Sequence, residues 1–356
     1  MKTCTRILLV SLGLLALTLS TATRAGVNVK NGNFFITYTD VQWDDKNGIS
    51  RTYNSRTTFS GIFGYGWSSP LEHTLRVTGT GDIEFVHNGG GKQEKFTRAN
   101  TSSDVPTWVD AYGNAVTRDE GGFTVLWKRN GRRYRFDLDG RLLLTEDKSG
   151  VRSRLTYKHG VIDTIVLSEK HHIKVQFYAN GKIRSLQPEK GRATFYSYSV
   201  TDDLLVSEDA AQNRFVFEYD RKHNLTAIRY ADGASRVLGY NSKDMLVSEN
   251  REGGCSVRLG YGTNKSAPRA HYWTYKHEVC DGKVKSRYVA EYDYRQRGTG
   301  GGSVIRYWFV PRNYRGQALR DVQHQELKYN GRGMLTARNN RKVSDLPALT
   351  FDNPLQ

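Results

Sequence analysis

The sequence predicts an all-β protein built from short antiparallel hairpins, and three observations support this fold class. The composition is rich in residues that favour strands and tight turns, with 21 Tyr, 14 Phe and 35 Gly. An aromatic residue recurs at nearly constant spacing through the middle of the chain. Apolar and polar residues alternate between these aromatics, as in strands with one buried face. Because 37% of the residues are hydrophobic, wholesale disorder is excluded.

The first element is a predicted export signal. Lys2 and Arg6 precede an apolar run from Ile7 to Leu19, and small residues around Ala22 offer a cleavage site. This run has 13 residues, whereas a membrane-spanning helix needs about 20. We therefore predict a signal peptide over residues 1–25, no stable membrane insertion, and a secreted or periplasmic mature protein.

Residues 26–125 are predicted to form an N-terminal antiparallel β module. Its clearest hairpin places the loop Gly89–Gly91 between the strand-like segments Ile83–His87 and Gln93–Arg98. A second hairpin signal follows at the module boundary, where the Asn130-Gly131 dipeptide separates the segments Phe123–Trp127 and Arg132–Phe136.

A repeat of about 21 residues organises residues 126–262. Its marker is an aromatic ring that recurs at intervals of 21, 21, 20, 21, 21 and 21 residues, at Phe136, Tyr157, Tyr178, Tyr198, Tyr219, Tyr240 and Tyr261. A turn and an aliphatic residue follow most of these rings, and a second turn closes each unit. A unit this short cannot bury its apolar face alone. We therefore expect neighbouring units to stack in one continuous sheet, with the rings in its core.

One strand conflicts with this alternation. Ile173, Val175 and Phe177 lie opposite Tyr178 in phase, so they cannot share its face on a regular strand. Either the strand has a bulge near His171-His172 or it is apolar on both faces, and the pattern leaves both alternatives open.

The motifs resemble the YD repeats of the Rhs family, which follow a characteristic entry module. Repeat-like segments are Tyr134–Leu142, Tyr219-Asp220 with Asn224-Leu225-Thr226, and the degenerate Tyr329–Thr336. Segments that resemble the entry module are Asn31–Phe34, Arg51–Arg56 and Gly61–Ser68. The resemblance implies a coiling ribbon of β-hairpins, which in large members closes around a toxin segment. This chain has no Asp-Pro dipeptide, on which the family's self-cleavage motif is centred, so we expect neither self-cleavage nor a toxin tip.

Two cysteines, Cys255 and Cys280, remain after removal of the signal peptide. In an exported protein such a pair usually oxidises, so we predict a disulfide. The alternative is a reactive or metal-binding thiol pair, for which the sequence offers neither a CxxC partner nor a His at ligand spacing. Residues 263–356 are predicted to be degenerate basic β repeats that contain one end of this bridge.

The sequence contains none of the common catalytic signatures. The GxSxG, HExxH, P-loop and paired CxxC motifs are all missing. We therefore predict no catalytic residues, no cofactor and no metal site, although a hydrolase with a site assembled from scattered carboxylates remains an alternative.

The binding hypothesis rests on the basic last third, where residues 251–356 carry 19 Lys plus Arg against 9 Asp plus Glu. Rings and cations interleave there, a combination that suits glycans. The candidate ligand-binding residues are Trp273, Lys283, Lys285, Arg287 and Trp308, of which the three cations alternate along one strand and so should share a face. The alternative is that these cations only solubilise the protein and the rings only fill its core.

The expected function is that of a secreted, non-enzymatic YD-repeat scaffold that binds an anionic glycan or an envelope protein. Export disfavours nucleic acid as a partner, despite the net charge of +17. The alternative is a remnant or companion of an Rhs-type polymorphic toxin system that cradles a separately encoded effector.

Overall fold

The computed structural model describes residues 24–29, 31–43, 48–100, 104–168, 171–251, 253–263, 271–297, 301–310, 323–329 and 335–342. Within these ranges the predicted all-β class is confirmed, because all the regular structure is strand apart from one 3₁₀ turn at Pro70–Glu72. The predicted signal peptide lies outside the described residues except for Arg24 and Ala25, which begin the first strand. No helix in the described ranges is long and apolar enough to cross a membrane.

Six strands form the N-terminal sheets. They are β1 (Arg24–Asn28), β2 (Asn33–Gln42), β3 (Gly48–Asn54), β4 (Ser60–Gly61), β5 (Gly64–Tyr65) and β6 (Trp67–Ser68). β1, β2, β3 and β6 make a four-stranded antiparallel sheet, and β4 pairs with β5. Alternate residues of β2 are buried, from Phe34 to Asp40, so one face of this sheet packs inward. We call residues 24–72 the plug module.

A long ribbon of antiparallel strands follows. Its first half comprises β7 (Thr74–Val77), β8 (Ile83–Val86), β9 (Gln93–Arg98), β10 (Thr107–Val109), β11 (Ala115–Asp119), β12 (Gly122–Trp127), β13 (Arg132–Phe136), β14 (Leu142–Asp147), β15 (Gly150–Lys158), β16 (Val161–Ser168), β17 (His171–Phe177) and β18 (Ile183–Pro188). Its second half comprises β19 (Thr194–Tyr198), β20 (Leu204–Glu208), β21 (Arg214–Tyr219), β22 (Leu225–Tyr230), β23 (Ser235–Tyr240), β24 (Leu246–Arg251), β25 (Cys255–Thr263), β26 (His271–Cys280), β27 (Lys283–Arg297), β28 (Gly301–Val310), β29 (Gln323–Tyr329) and β30 (Leu335–Lys342).

Each ribbon strand pairs with the next strand along the chain. β10 to β30 form one long sheet of 21 strands, and β7 to β9 join it through two residue pairs between β9 and β10. The predicted hairpins β8–β9 and β12–β13 are both present. The register pairs no described residue of β30 with β7, and the sheet is therefore not closed. A single bridge between Thr74 and Arg141 folds the start of the ribbon back onto the turn after β13.

Six of the seven repeat units have the same local geometry, a ring paired with an aliphatic residue and followed by a one-residue bulge, whereas Tyr261 pairs with Thr274 in a regular register. Tyr219 pairs with Leu225 while Glu218 pairs with Ala227, so Thr226 is the extra residue. The same shift accompanies the pairs Phe136–Leu142, Tyr157–Ile162, Phe177–Ile183, Tyr198–Leu204 and Tyr240–Leu246. Because a bulge bends its strand and increases the local twist, bulges at a regular interval make the ribbon coil.

The third ring of this series is Phe177, which corrects the choice of Tyr178 from spacing. Phe177 pairs with Ile183 as the other rings pair with their aliphatic partners. Tyr178 lies in the following turn and is 40% exposed. With Phe177 as the ring of this unit, the alternation of buried residues is regular, since Ile173 and Val175 are buried on the same face as Phe177. A bulge does lie opposite His171-His172, on β16, but it does not cause the conflict.

In four units the residue after the ring, which is Asp137, Ser199, Asp220 or Asn241, holds the turn. Asp220 Oδ1 accepts hydrogen bonds from the backbone N–H groups of Lys222 and Asn224, at 2.8 and 3.0 Å. Asn241 Oδ1 plays the same part in the next unit. These side chains satisfy N–H groups that no strand partner reaches, which is the reason Asp and Asn favour such turns. A Tyr-Asp pair therefore supplies one core ring and one turn cap.

The tyrosine hydroxyls join neighbouring units. Those of Tyr157, Tyr198 and Tyr261 each donate to the backbone carbonyl 15 residues earlier, at 2.7, 3.0 and 2.6 Å. Their rings are half-buried against the core, whereas Phe136 is fully buried. Each of these rings thus packs within its own unit, while its hydroxyl donates a hydrogen bond to the preceding unit.

The predicted disulfide is confirmed. Cys255 and Cys280 are directly opposite each other on β25 and β26, and an S–S bond of 2.02 Å joins them. The bridge ties these two strands together beyond the last regular unit.

Candidate functional site

The plug module covers the face of the ribbon that carries the buried rings, which we call the inner face. It binds mainly to the turns between strands. Three backbone hydrogen bonds of 2.8–2.9 Å make this junction, Leu246 N–H to Gly32 O, Ile183 N–H to Ile62 O and Tyr65 N–H to Asp202 O. Tyr53 adds a side-chain contact, since its hydroxyl donates to His223 O and accepts from Leu225 N–H.

A buried charge lies at the centre of this junction. Arg51 of β3 is fully buried, and its Nε lies 2.9 Å from Asp40 Oδ2. Its Nη2 donates to Ser207 Oγ of the ribbon at 2.7 Å. Four rings surround the guanidinium at 4.5–5.7 Å, those of Tyr38, Trp67, Tyr196 and Phe217. Burial raises the pKa of Asp40, and the Arg51 guanidinium opposes that effect.

A second polar contact lies near the 3₁₀ turn. Lys182 Nζ of the ribbon donates to Ser60 Oγ at 2.9 Å and to Gly61 O at 3.0 Å. Close by, Glu72 accepts from Ile62 N–H and Ser69 N–H. Burial raises the pKa of Glu72 to about 8, while its two backbone donors and Lys182 act in the opposite direction. The partners of these charged groups, like those of Arg51, are residues of the protein itself.

A cavity of about 600 Å³ lies between the plug module and the first ribbon hairpins. Its aromatic wall consists of Trp43, Trp127 and Tyr134. Polar residues from the two sides complete the lining, among them Ser50, Ser69, His73, His87, Asn88, Glu94, Asn130, Arg132, Thr145, Glu146, Asp147 and Ser153. The cavity therefore offers both flat apolar surface and hydrogen-bonding groups.

Two imidazoles belong to this lining. His73 is 7% exposed, and its Nδ1 accepts the Asn88 N–H at 2.9 Å. Burial lowers the pKa of His73 to about 3, helped by the nearby His87 and Arg132, so the ring is neutral and carries its proton on Nε2. Burial also lowers the pKa of His87, whose Nε2 lies 3.3 Å from Glu94 Oε1.

A group of cations lies at the mouth of the cavity and along the adjacent hairpin tips. We call it the basic edge, and it comprises Lys128, Arg129, Arg132, Arg133 and Lys148, all exposed. The side chain of Lys148 lies alongside Gly131, at the neighbouring tip. In the part of the chain that the structure describes, Arg133 alone of the five has a carboxylate partner, Glu146, at 3.9 Å. Sequence reasoning identified the Asn130-Gly131 turn but missed its cations, although the run Lys128–Arg133 signals them.

The cations predicted on β27 do not share one face. Val284 pairs with Val279 and Ser286 with Glu278, so Lys285 is the extra residue of a bulge. A one-residue bulge inverts the alternation beyond it. Lys283 and Arg287 therefore lie on opposite faces. Lys283 and Lys285 are exposed, whereas Arg287 is half-buried and donates to His277 Nε2 at 3.0 Å.

Of the two predicted ring platforms, Trp273 is buried, whereas the prediction for Trp308 stays untested. Trp273 is 7% exposed and lies against its cross-strand partner Gly262, so its faces are not open to a ligand. Trp308 lies on β28, and its side chain falls outside the described residues. Among the described residues, no three His, Cys, Asp or Glu side chains are grouped so that they could hold a metal ion.

Comparison with protein families gives one match. The family model described as "Domain of unknown function (DUF6531)" matches residues 25–96, which include the plug module and the first ribbon hairpin. A comparison with curated proteins found no match.

Comparison with solved structures gives distant similarities. The Photorhabdus luminescens Tc holotoxin pore is 9% identical over 88% of this chain and 23% of that chain, with a TM-score of 0.25. The crystal structure of TcdB2-TccC3 is 8% identical over 86% of this chain and 23% of that chain, also at 0.25. The protein thus spans less than a quarter of either chain, and superpositions this poor carry no inference about function.

Proposed function

We propose that the protein is a non-enzymatic YD-repeat scaffold of the Rhs type that binds an acidic polysaccharide outside the cytoplasm. The unit of ring, turn cap and bulge, repeated from Phe136 to Tyr240, supports the assignment to YD repeats. The family match at 25–96 supports it further, because it contains all three segments that resemble the entry module.

The disulfide supports the proposed location. Cys255 and Cys280 are bonded, and such bonds persist in oxidising compartments. Exported protein, unfolded without reductant, should therefore show no free thiol in a colorimetric titration. Two thiols per mature chain would contradict both the bond and the location.

The basic edge is the observation that carries the binding proposal. It places five cations on adjacent hairpin tips, and the one carboxylate partner among the described residues, Glu146, is 3.9 Å away and partly exposed. Exposed ion pairs of this kind contribute little, so most of this charge remains available to a polyanion. A rigid sheet that holds the tips in a row suits an extended polymer better than a compact ligand.

The competing function, a companion that cradles a separate effector, requires a free inner face. Contacts of the plug module with this face extend from the turn after β17 to β26. In β26, Thr274 Oγ1 donates a hydrogen bond to Val29 O. This occupancy supports a binding surface at the edge of the ribbon over one on its inner face.

The test compares two sets of variants on an immobilised polygalacturonate column. Lys128→Ala, Arg129→Ala and Lys148→Ala together should elute at clearly lower salt than the parent, with an unchanged far-ultraviolet circular dichroism spectrum. Lys283→Ala with Lys285→Ala is the matched control and should elute with the parent. Retention of the parent should weaken towards ~0.15 M salt, where the Debye length is about 8 Å.

Two results would contradict the proposal. If the parent is not retained even at low salt, polysaccharide binding is wrong. If the triple variant elutes with the parent at every salt concentration, the basic edge is not the binding surface. Recovery of a stoichiometric small protein with the native chain would instead favour the effector-cradling function.

A further inference from the structure

The cavity beneath the basic edge combines an aromatic wall with polar groups, and polymer binding at the hairpin tips requires no such cavity. Its volume of about 600 Å³ falls within the range of small-molecule sites, about 300–1,000 Å³. Trp127 and Tyr134, which are only 9% and 8% exposed, supply rigid flat surface in its wall. Rigid aromatic walls with a few fixed polar groups are characteristic of sites for compact ligands.

Two side chains of the lining carry hydrogen-bond donors for which the described residues provide no acceptor. The Asn88 N–H occupies Nδ1 of His73, and the neutral ring therefore directs a donor from Nε2. No acceptor for that proton is found among the described residues, although the side chain is more than nine-tenths buried. Arg132 lines the same cavity, and no described carboxylate forms an ion pair with it.

The acidic residues of the lining are already engaged. Glu94 lies 2.7 Å from Lys92 Nζ, and Glu146 lies 3.9 Å from Arg133 Nη1. Asp147 Oδ1 accepts from the backbone N–H and the hydroxyl of Ser149, at 2.8 and 2.7 Å. These hydrogen bonds do not neutralise the Asp147 carboxylate, so the lining keeps negative charge at the turn after β14. Arg132 is the cation of the lining, it has no carboxylate partner among the described residues, and its guanidinium can therefore pair with an anionic group on the ligand.

We propose that this cavity binds a small carboxylic acid built on one or two rings. The carboxylate accepts hydrogen bonds from the Arg132 guanidinium and from Nε2–H of His73, and the ring packs against Trp127 and Tyr134. An aromatic acid and a uronic acid share this chemistry, so both are tested. The site shares Arg132 with the basic edge but lies in the cavity beneath the hairpin tips, and binding of a small acid there goes beyond the proposed function.

The experiment is isothermal titration of the full mature chain with 4-hydroxybenzoate and with glucuronate, each beside its neutral analogue, 4-hydroxybenzamide or glucose. At least one acid should bind, and its neutral analogue should bind at least about tenfold more weakly, as expected for loss of a charge-assisted contact. Arg132→Ala should weaken binding of that acid by a similar factor. Arg154→Ala is the matched control, because Arg154 is exposed, does not line the cavity and lies on the other face of β15 from its lining neighbour Ser153, and so it should leave affinity unchanged.

His73→Phe gives a second measurement that retains the ring but removes the donor, and it should weaken binding several-fold. The acid that binds more tightly identifies the source of the ligand. Absence of binding by either acid at about 10 mM would overturn the proposal. So would equal losses in Arg132→Ala and Arg154→Ala, or equal affinities for an acid and its neutral analogue.

Discussion

At the scale of single residues, Arg51 is a cation placed where a charge is costly. Taking a guanidinium out of water is unfavourable unless an anion and further acceptors compensate it, and here Asp40 and Ser207 do so. The surrounding rings add attraction to their electron-rich faces. One side chain thus makes the plug module and the ribbon dependent on each other.

Removing this cation should be strongly destabilising. Arg51→Met leaves Asp40 buried without its partner, and breaking a buried pair in this way costs about 3–5 kcal/mol. Urea unfolding would measure the loss as a shift of the midpoint. Arg51→Met combined with Asp40→Asn should recover part of it, since no charge then remains buried. Equal losses in the single and double variants would contradict this account.

His73 predicts a pH dependence of stability. Its pKa falls from 6.5 to about 3 on folding because the ring is buried, so between these values the unfolded chain binds more protons than the folded one. The stability is therefore complete above pH 6.5 and is lost as the pH falls towards 3, by about 1.4 kcal/mol per unit at most. His87, whose pKa burial also lowers, acts in the same direction.

Thermal unfolding at pH 7 and pH 4 would measure this effect. His73→Phe should reduce the difference between the two midpoints because it removes the proton-binding group but retains a ring. His159→Asn, on an exposed turn with a positive φ of 52° that Asn tolerates, should leave the difference unchanged. A difference that is the same in all three proteins would exclude His73 as its source.

At the scale of elements, the geometry of the repeat unit explains which features of the fold could be predicted from the sequence. Alternation and spacing identified the hairpins and the aliphatic column correctly, because buried faces impose a period of two and turns require Gly, Asp or Asn. Spacing alone chose Tyr178 over Phe177, since a tyrosine at 21 residues fits the series as well as a phenylalanine at 20 or 21. Only the cross-strand pairing separates them.

The corrected ring assignment can be tested directly. Phe177→Ala removes a ring packed against the core and should cost about 3 kcal/mol. Tyr178→Ala, one residue later, removes a ring that is 40% exposed and a hydrogen bond to Tyr196 O, and should cost about 1 kcal/mol. Chemical unfolding midpoints of the two variants give the comparison. A larger loss for Tyr178→Ala would restore the original assignment.

Bulges limit what can be predicted about sites. The bulge at Lys285 inverts the faces of the strand, and so the expected alignment of Lys283 with Arg287 failed. Neither residue type nor charge marks such a position. The cavity was equally inaccessible to sequence reasoning, since His73 and Arg132 come together only where the start of the ribbon folds back onto the turn after β13. By contrast, the disulfide followed from cysteine count alone.

At the scale of the whole molecule, the plug module and the ribbon share one core. Tyr38 and Trp67 of the module contact Phe217 of the ribbon, with ring centroids 5.8 and 5.3 Å apart. Neither part can unfold without exposing buried rings of the other. A large shared apolar interface makes two parts behave as one cooperative unit.

Calorimetry should therefore show a single transition. Trp67 fluorescence, in a variant whose other tryptophans are Phe, should report the same midpoint as far-ultraviolet circular dichroism of the ribbon. Coincident curves by both probes are the established test of two-state behaviour. Two separated transitions would mean that the module unfolds from the ribbon independently.

Because the turns of the ribbon repeat, the plug module could in principle dock on the ribbon in more than one register. The N–H groups of Ile183 and Leu246 that the plug module uses belong to a series that recurs with every unit, so a slip by one unit would meet similar backbone donors. Ser207, which receives Arg51, is not part of such a series. One unit away on either side the corresponding residues are Leu186 and Ile228, both fully buried and unable to accept a hydrogen bond. Lys182, which donates to Ser60 and Gly61, is equally specific, because the corresponding residues one unit away are Val161 and Asp203. These two side chains therefore distinguish the correct docking frame from its neighbours, and gain or loss of a whole unit between them would make it impossible to form both contacts at once.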